Sequence, residues 1–214
     1  MIRLVILDFD GTLADTVELI VETNQEAQRR MSYPVSTPEE IIATIGLPLK
    51  ECIQVMYPEV KEDEIPQWIA VYREVFDRLK TQIVPSLFPQ VKETLAELVS
   101  KGIICTVASS RGTESLTAFL REMGIAPYIS YVLGAEDVTR AKPHPEPVLK
   151  TLEHLGIPAA EALVVGDMPV DIQMGRGAGA LTCGVTYGNS SREALEAAGA
   201  DRVIDGFGEL RRYC

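Results

Sequence analysis

The sequence predicts an α/β protein built on a doubly wound parallel sheet that carries an inserted all-helical segment. Three observations predict it. Short apolar runs without polar alternation recur along the chain, as strands covered on both faces require. Each run is followed by a loop and then a helical pattern, the alternation that builds such sheets. One stretch, residues 15–83, breaks the rhythm with helical patterns alone.

The apolar runs predict strands at 4–7, 103–108, 131–133, 162–165, 181–185 and 202–204. Between them, amphipathic spacing predicts helices over 89–101, 113–123, 145–156, 169–178 and 191–199. Gly102, Gly124, Gly156 and Gly199 stand where those helices should stop, in keeping with left-handed C-terminal caps. The interrupting stretch predicts helices near 15–31, 38–45, 48–57 and 62–80, punctuated by Pro34, Pro38, Pro48, Pro58 and Pro66. Residues 1–14 and 84–214 are therefore expected to form the α/β core. Residues 15–83 form a helical cap over the strand ends, with Trp68, Val75 and Phe76 on its apolar face.

Composition narrows the function classes. Twenty basic residues against 31 acidic ones leave a formal net charge of −11. A phosphate-backbone binder needs the opposite surplus, so nucleic acid is not an expected partner. No apolar run approaches the length of a membrane span. The four cysteines, Cys52, Cys105, Cys183 and Cys214, show no metal-ligand spacing, and Cys105 and Cys183 read as reduced core residues. The cytoplasm is the expected location; monomer and homodimer remain equally open.

Four strand-end loops carry the chemistry. Asp8 and Asp10 follow the first strand, at i and i+2 of an extended segment, so both carboxylates face one small volume. Such a pair requires a raised pKa or a cation between its members. Gly11 lets the chain turn, and Thr12 offers a hydroxyl to a ligand or a helix. Asp167, in Gly166-Asp167-Met168-Pro169-Val170-Asp171, follows another strand and is placed to complete a hard-cation site. Gly166 permits close backbone approach there. Asp171 lies in the first helical turn, where it either orients that site or favours the helix dipole. Ser109, Ser110 and Arg111 end a third strand. Ser109 can donate to a phosphoryl oxygen, Ser110 can do so or cap a helix, and Arg111 can touch substrate. Lys142 precedes Pro143 and Pro145 in a stiff loop and supplies the fixed ammonium that crowded carboxylates and a phosphate need. His144 and His154 read as loop packing and surface. Ligands in open α/β sheets bind beyond the carboxyl ends of the strands, where these loops converge.

Together these residues resemble the haloacid dehalogenase superfamily, in its branch with a helical cap of the phosphoglycolate phosphatase and β-phosphoglucomutase kind. Asp8-Phe9-Asp10-Gly11-Thr12 matches the first motif, Ser109 the second, Lys142 the third, and Gly166-Asp167 with Asp171 the fourth. The resemblance implies a Rossmann-like core and a Mg²⁺-dependent phosphatase acting on a small phosphate ester through an aspartyl-phosphate. Asp8 would be the nucleophile and Asp10 the general acid and base. Asp8, the Asp10 carbonyl and Asp167 would hold the metal, with Asp171 behind them. Ser109, Ser110, Thr12, Arg111 and Lys142 would hold the phosphoryl group and substrate. Asp10 and Asp167 speak against dehalogenase relatives, which need neither a second acid nor a metal, and Asp10 speaks against phosphonatase relatives, which lack the second aspartate. A sugar-phosphate mutase and an inorganic pyrophosphatase remain alternatives. The first cap helix lacks the mutase relatives' histidine, and the loop Ile45-Gly46-Leu47-Pro48-Leu49-Lys50 offers Lys50 to an anionic tail.

Overall fold

A computed structural model describes residues 1–214. Six strands form one parallel sheet: β1 (Leu4–Leu7), β4 (Ile104–Ala108), β5 (Ile129–Leu133), β6 (Ala162–Gly166), β7 (Leu181–Val185) and β8 (Arg202–Ile204). Their order across the sheet is β5-β4-β1-β6-β7-β8, with β1 central. Leu7 pairs in register with Val107 on one side and Val165 on the other. The loops after β1, β4 and β6 therefore leave the sheet at one edge and at one level.

Side-chain alternation along β1 divides the core. Val5 and Leu7 enter a cluster of 26 buried residues on one face, and Leu4 and Ile6 enter a cluster of 10 on the other. Helices cover both faces: α5 (Val91–Ser100), α6 (Thr113–Glu122), α7 (Glu146–Leu155), α8 (Pro169–Gly177) and α9 (Arg192–Ala197). The expected helices all form, shortened at their ends. Gly102, Gly124, Gly156 and Gly199 all take positive φ.

Residues 15–83 form four helices: α1 (Val17–Arg30), α2 (Pro38–Ile42), α3 (Leu49–Met56) and α4 (Ile65–Leu79). Thr37 opens α2 with a reciprocal capping box to Glu40. Trp68 lies in a separate six-residue cluster with Ala27, Ile53 and Tyr57. Val75 and Phe76, expected to share that interior, belong instead to the large sheet-face core. The helical segment is thus seated on the sheet by one end of α4 and by Leu19 of α1. A second ribbon, antiparallel, joins β2 (Ala14–Asp15) to β3 (Ser86–Leu87) where the chain leaves and re-enters the sheet region. Two-residue strands carry no periodicity, so no sequence pattern announced them. No helix is long and apolar enough to cross a membrane.

Candidate active site

Asp8 directly follows β1; it is buried at 5% exposure, and its backbone N–H donates to the Val165 carbonyl. The turn that follows needs Gly11: its φ is +80°, and a Cβ there would stand 2.2 Å from Asp167 Oδ2. β6 ends in Gly166, where a Cβ would meet the Asp171 Cβ at 2.2 Å. The absent side chain is what lets the first turn of α8 fold back against the strand end. One Asp171 oxygen accepts from the Met168 N–H at 3.0 Å, capping α8. The other accepts from Lys142 Nζ at 2.7 Å. Asp171 therefore serves the helix terminus with one oxygen and faces Lys142 with the other.

Lys142 is 2% exposed and also donates to Asp8 Oδ1 at 2.6 Å. Burial disfavours its ammonium, but the charges of Asp171 and Asp8 outweigh that and hold its pKa above the ordinary range. Asp8, Asp167 and Asp171 bring one carboxylate oxygen each within 4.8 Å of one another, all buried. Burial drives Asp8 well above the usual carboxylate range against the pull of Lys142. Burial, then the charge of Asp171, pushes Asp167 up to about 7. Three buried carboxylates facing one ammonium lack positive charge. A hard divalent cation held by oxygen ligands fits that deficit.

The Asp167 shift sets a pH dependence. Between about 4 and about 7 the folded, metal-free protein keeps a proton that the unfolded chain has released from this group. Its contribution to stability is therefore greatest at low pH and is lost as pH rises through about 7. Thermal melts in a chelator should show a steeper loss of Tm across this window in the natural chain than in Asp167→Asn. Parallel pH profiles for the two would refute the assignment.

Ser109 is buried at 8% exposure, and its Oγ accepts the Arg111 N–H at 3.2 Å. Arg111 is turned inward onto Asp10: Nη2 donates to Oδ1 at 2.6 Å and Nε to Oδ2 at 3.2 Å. Three of the residues expected at the ligand have protein partners in this structure. Thr12 is fully buried, and its hydroxyl donates to Asp167 Oδ1 at 3.1 Å, so it positions a carboxylate. The Ser110 hydroxyl donates to the Gly46 carbonyl at 2.5 Å, which commits its only proton to the loop before α3. Lys50 pairs with Glu62 at 2.7 Å on the surface, because its place on the outer side of α3 points it away from the cleft.

Two groups escaped sequence reasoning. Thr16 precedes α1 but does not cap it; its hydroxyl donates to Asp10 Oδ1 at 2.7 Å. Asn189, in the loop after β7, donates to Asp167 Oδ2 from its backbone N–H and its side-chain amide, both at 2.8 Å. An Asn in a loop carries no spacing signal of its own.

Asp8, Asp10, Ser109 and Arg111 line a cleft of about 550 Å³ between the strand ends and the helical segment. That size suits a small ligand (roughly 300–1,000 Å³ is usual). Its far wall is built from Ile45, Gly46, Tyr72 and Phe76.

The chain is similar to known proteins over nearly its full length. It is 37% identical over 212 residues to "Probable phosphatase IndB" of Dickeya dadantii, covering 97% of this chain and 91% of that one. It is 33% identical over 212 residues to a phosphoglycolate phosphatase of Pectobacterium atrosepticum, covering 98% and 91%. A crystal structure of a haloacid dehalogenase-like protein from Bacteroides fragilis superposes with a TM-score of 0.93 at 30% identity, covering 98% of this chain and all of that one. The family described as haloacid dehalogenase-like hydrolase matches residues 5–185, the span that holds all four strand-end loops. With that match over most of its length, the chain belongs to the haloacid dehalogenase-like hydrolase family.

Proposed function

We propose that the protein is a magnesium-dependent phosphatase that hydrolyses a small phosphorylated metabolite through an aspartyl-phosphate. The observation that carries this reading is Lys142 Nζ lying between Asp8 and Asp171, at 2.6 and 2.7 Å, inside a buried group of three carboxylates. An ammonium there keeps Asp8 in place and offsets the approach of a phosphate dianion.

In the first step Asp8 attacks phosphorus as the ester bond to the leaving oxygen breaks, and Asp10 gives that oxygen its proton. In the second step water attacks phosphorus and passes a proton to Asp10. The bond to Asp8 breaks, and inorganic phosphate leaves. Ser109 and Lys142 hold the phosphoryl oxygens, and Thr16 and Arg111 fix the direction of Asp10. Asp8, the Asp10 carbonyl and Asp167 would hold magnesium, with Asp171 outside them; its charge would stabilise the negative oxygens of the transferring group. Residues 15–83 act as a cap over residues 1–14 and 84–214, docked through Gly46 and Phe76. We place the enzyme in the cytoplasm, where its four free cysteines stay reduced.

Release of phosphate from p-nitrophenyl phosphate should require magnesium and disappear in a chelator. Turnover that ignores the metal would overturn the reading, and conversion of a glucose phosphate to its isomer without phosphate release would favour the mutase. Asn189→Ala tests the support behind Asp167. It should raise the magnesium concentration needed for half-maximal Tm shift by about tenfold, while the metal-free Tm changes little. An unaltered magnesium requirement would remove Asn189 from the site.

A further inference from the structure

Lys142 stands behind Asp8 at one end of the cleft. Arg111 is a second buried cation, at the end where the rest of a substrate must lie. Its side chain is 8% exposed. Besides its two bonds to Asp10, it donates from Nη1 to Ser115 Oγ at 3.3 Å. A guanidinium carries five N–H groups, so two of them are uncommitted. The rings of Phe9, Phe76 and Phe119 surround its central carbon at 5.8, 5.1 and 5.1 Å. This cage keeps the group dry and limits its travel, and one wall, Phe76, comes from α4.

Holding Asp10 does not by itself account for so costly a residue, since Thr16 already orients the same carboxylate. The other cations lining the cleft are committed at the surface. Arg73, 68% exposed, faces Glu136 at 3.5 Å, and Lys80 pairs with Asp77 at 2.6 Å. An anion entering beyond the phosphoryl position therefore meets one desolvated cation. That cation already grips a carboxylate through two nitrogens, the geometry in which guanidinium recognises carboxylate and phosphate.

We propose that Arg111 is a specificity-determining residue that takes up a second anionic group, carboxylate or phosphate, on the leaving portion of the substrate, exchanging it for Asp10. The inference rests on the phosphatase reading and narrows its substrates. In that reading Asp10 touches the leaving oxygen, and Arg111 touches Asp10, so the second anion must lie only a few bonds from the scissile bond. Phosphoglycolate and pyrophosphate meet this condition, and a phosphate ester with a neutral tail does not. The exchange also turns Asp10 from the guanidinium toward the leaving oxygen, so a substrate with the second anion aligns its own acid.

The test compares kcat/KM for phosphoglycolate, pyrophosphate and 2-hydroxyethyl phosphate, in which a hydroxymethyl group replaces the carboxylate, for the natural chain, Arg111→Met and Arg111→Lys. The natural chain should prefer at least one anionic substrate over the neutral one by about 30-fold, the scale of a charge-assisted hydrogen-bonded pair. Whichever anionic substrate leads identifies carboxylate or phosphate as the group read. Arg111→Met should bring the preference within about threefold of unity, and Arg111→Lys should retain part of it. If Arg111→Met slows all three substrates by one common factor, Arg111 only holds Asp10 and the proposal is overturned. Should the methionine variant not fold, the natural chain still decides, because a preference already near unity overturns the proposal. Magnesium-dependent turnover of p-nitrophenyl phosphate by the natural chain leaves the phosphatase reading standing even where the discrimination fails; absence of that turnover in the natural chain sinks both.

Discussion

Asp8→Asn is expected to abolish phosphate release, lowering kcat by more than about 10⁴-fold. The amide has the shape of the carboxylate but neither its charge nor its nucleophilic lone pairs, so no aspartyl-phosphate can form. The fold should survive. Asp8 is one of two anionic partners of Lys142, and Asp171, at 2.7 Å, remains to hold the ammonium. The paired measurement is therefore phosphate release alongside a thermal melt, with activity lost and Tm within a few degrees. Substantial turnover by a folded Asp8→Asn protein would mean that water attacks phosphorus directly and Asp8 serves only as a ligand.

Lys142→Met should act on both stability and activity. Removing the ammonium leaves Asp8 and Asp171 facing each other in a site where neither reaches solvent. Breaking one side of a buried pair typically costs about 3–5 kcal/mol. For a chain of this size that corresponds to a fall in Tm of roughly 6–20 °C. The loss should be greatest near pH 8 and smaller near pH 5, where the neighbouring Asp167, raised to about 7, carries a proton and less negative charge is left uncompensated. Magnesium should restore part of the lost Tm by replacing the missing positive charge, while phosphate release stays depressed by about 10³-fold for want of the phosphoryl contact. Lys142→Arg is not expected to preserve activity, since a planar fork does not fit a space shaped for a point charge. A melting curve unaffected by Lys142→Met would show that the carboxylates are neutral without it.

Much of the architecture was legible from local pattern. A continuous apolar run such as Ala162-Leu163-Val164-Val165 has one stable destination, the interior of a parallel sheet. Once strands alternate with helices, topology sends every strand's carboxyl end to the same edge. That is why Asp8, Ser109, Lys142 and Asp167 could be assembled on paper from loops far apart in the chain. The helical segment was legible for the opposite reason, an absence of strand pattern over a long stretch. Its division between two cores was not, because Trp68 and Phe76 lie on one helix and differ only in what packs against each end.

The sequence by itself determined the sheet, the inserted helices and which acidic and basic residues stand at the strand ends. These follow from hydrophobic periodicity and chain direction, which act over neighbouring residues. Tertiary structure alone decided the partners: Thr12 for Asp167, Thr16 and Arg111 for Asp10, Ser110 for Gly46, Lys50 for Glu62 and Asn189 for Asp167. A hydroxyl, amide or guanidinium is satisfied by any acceptor about 3 Å away. Which acceptor that is depends on how separate loops meet in space, and no local pattern encodes it.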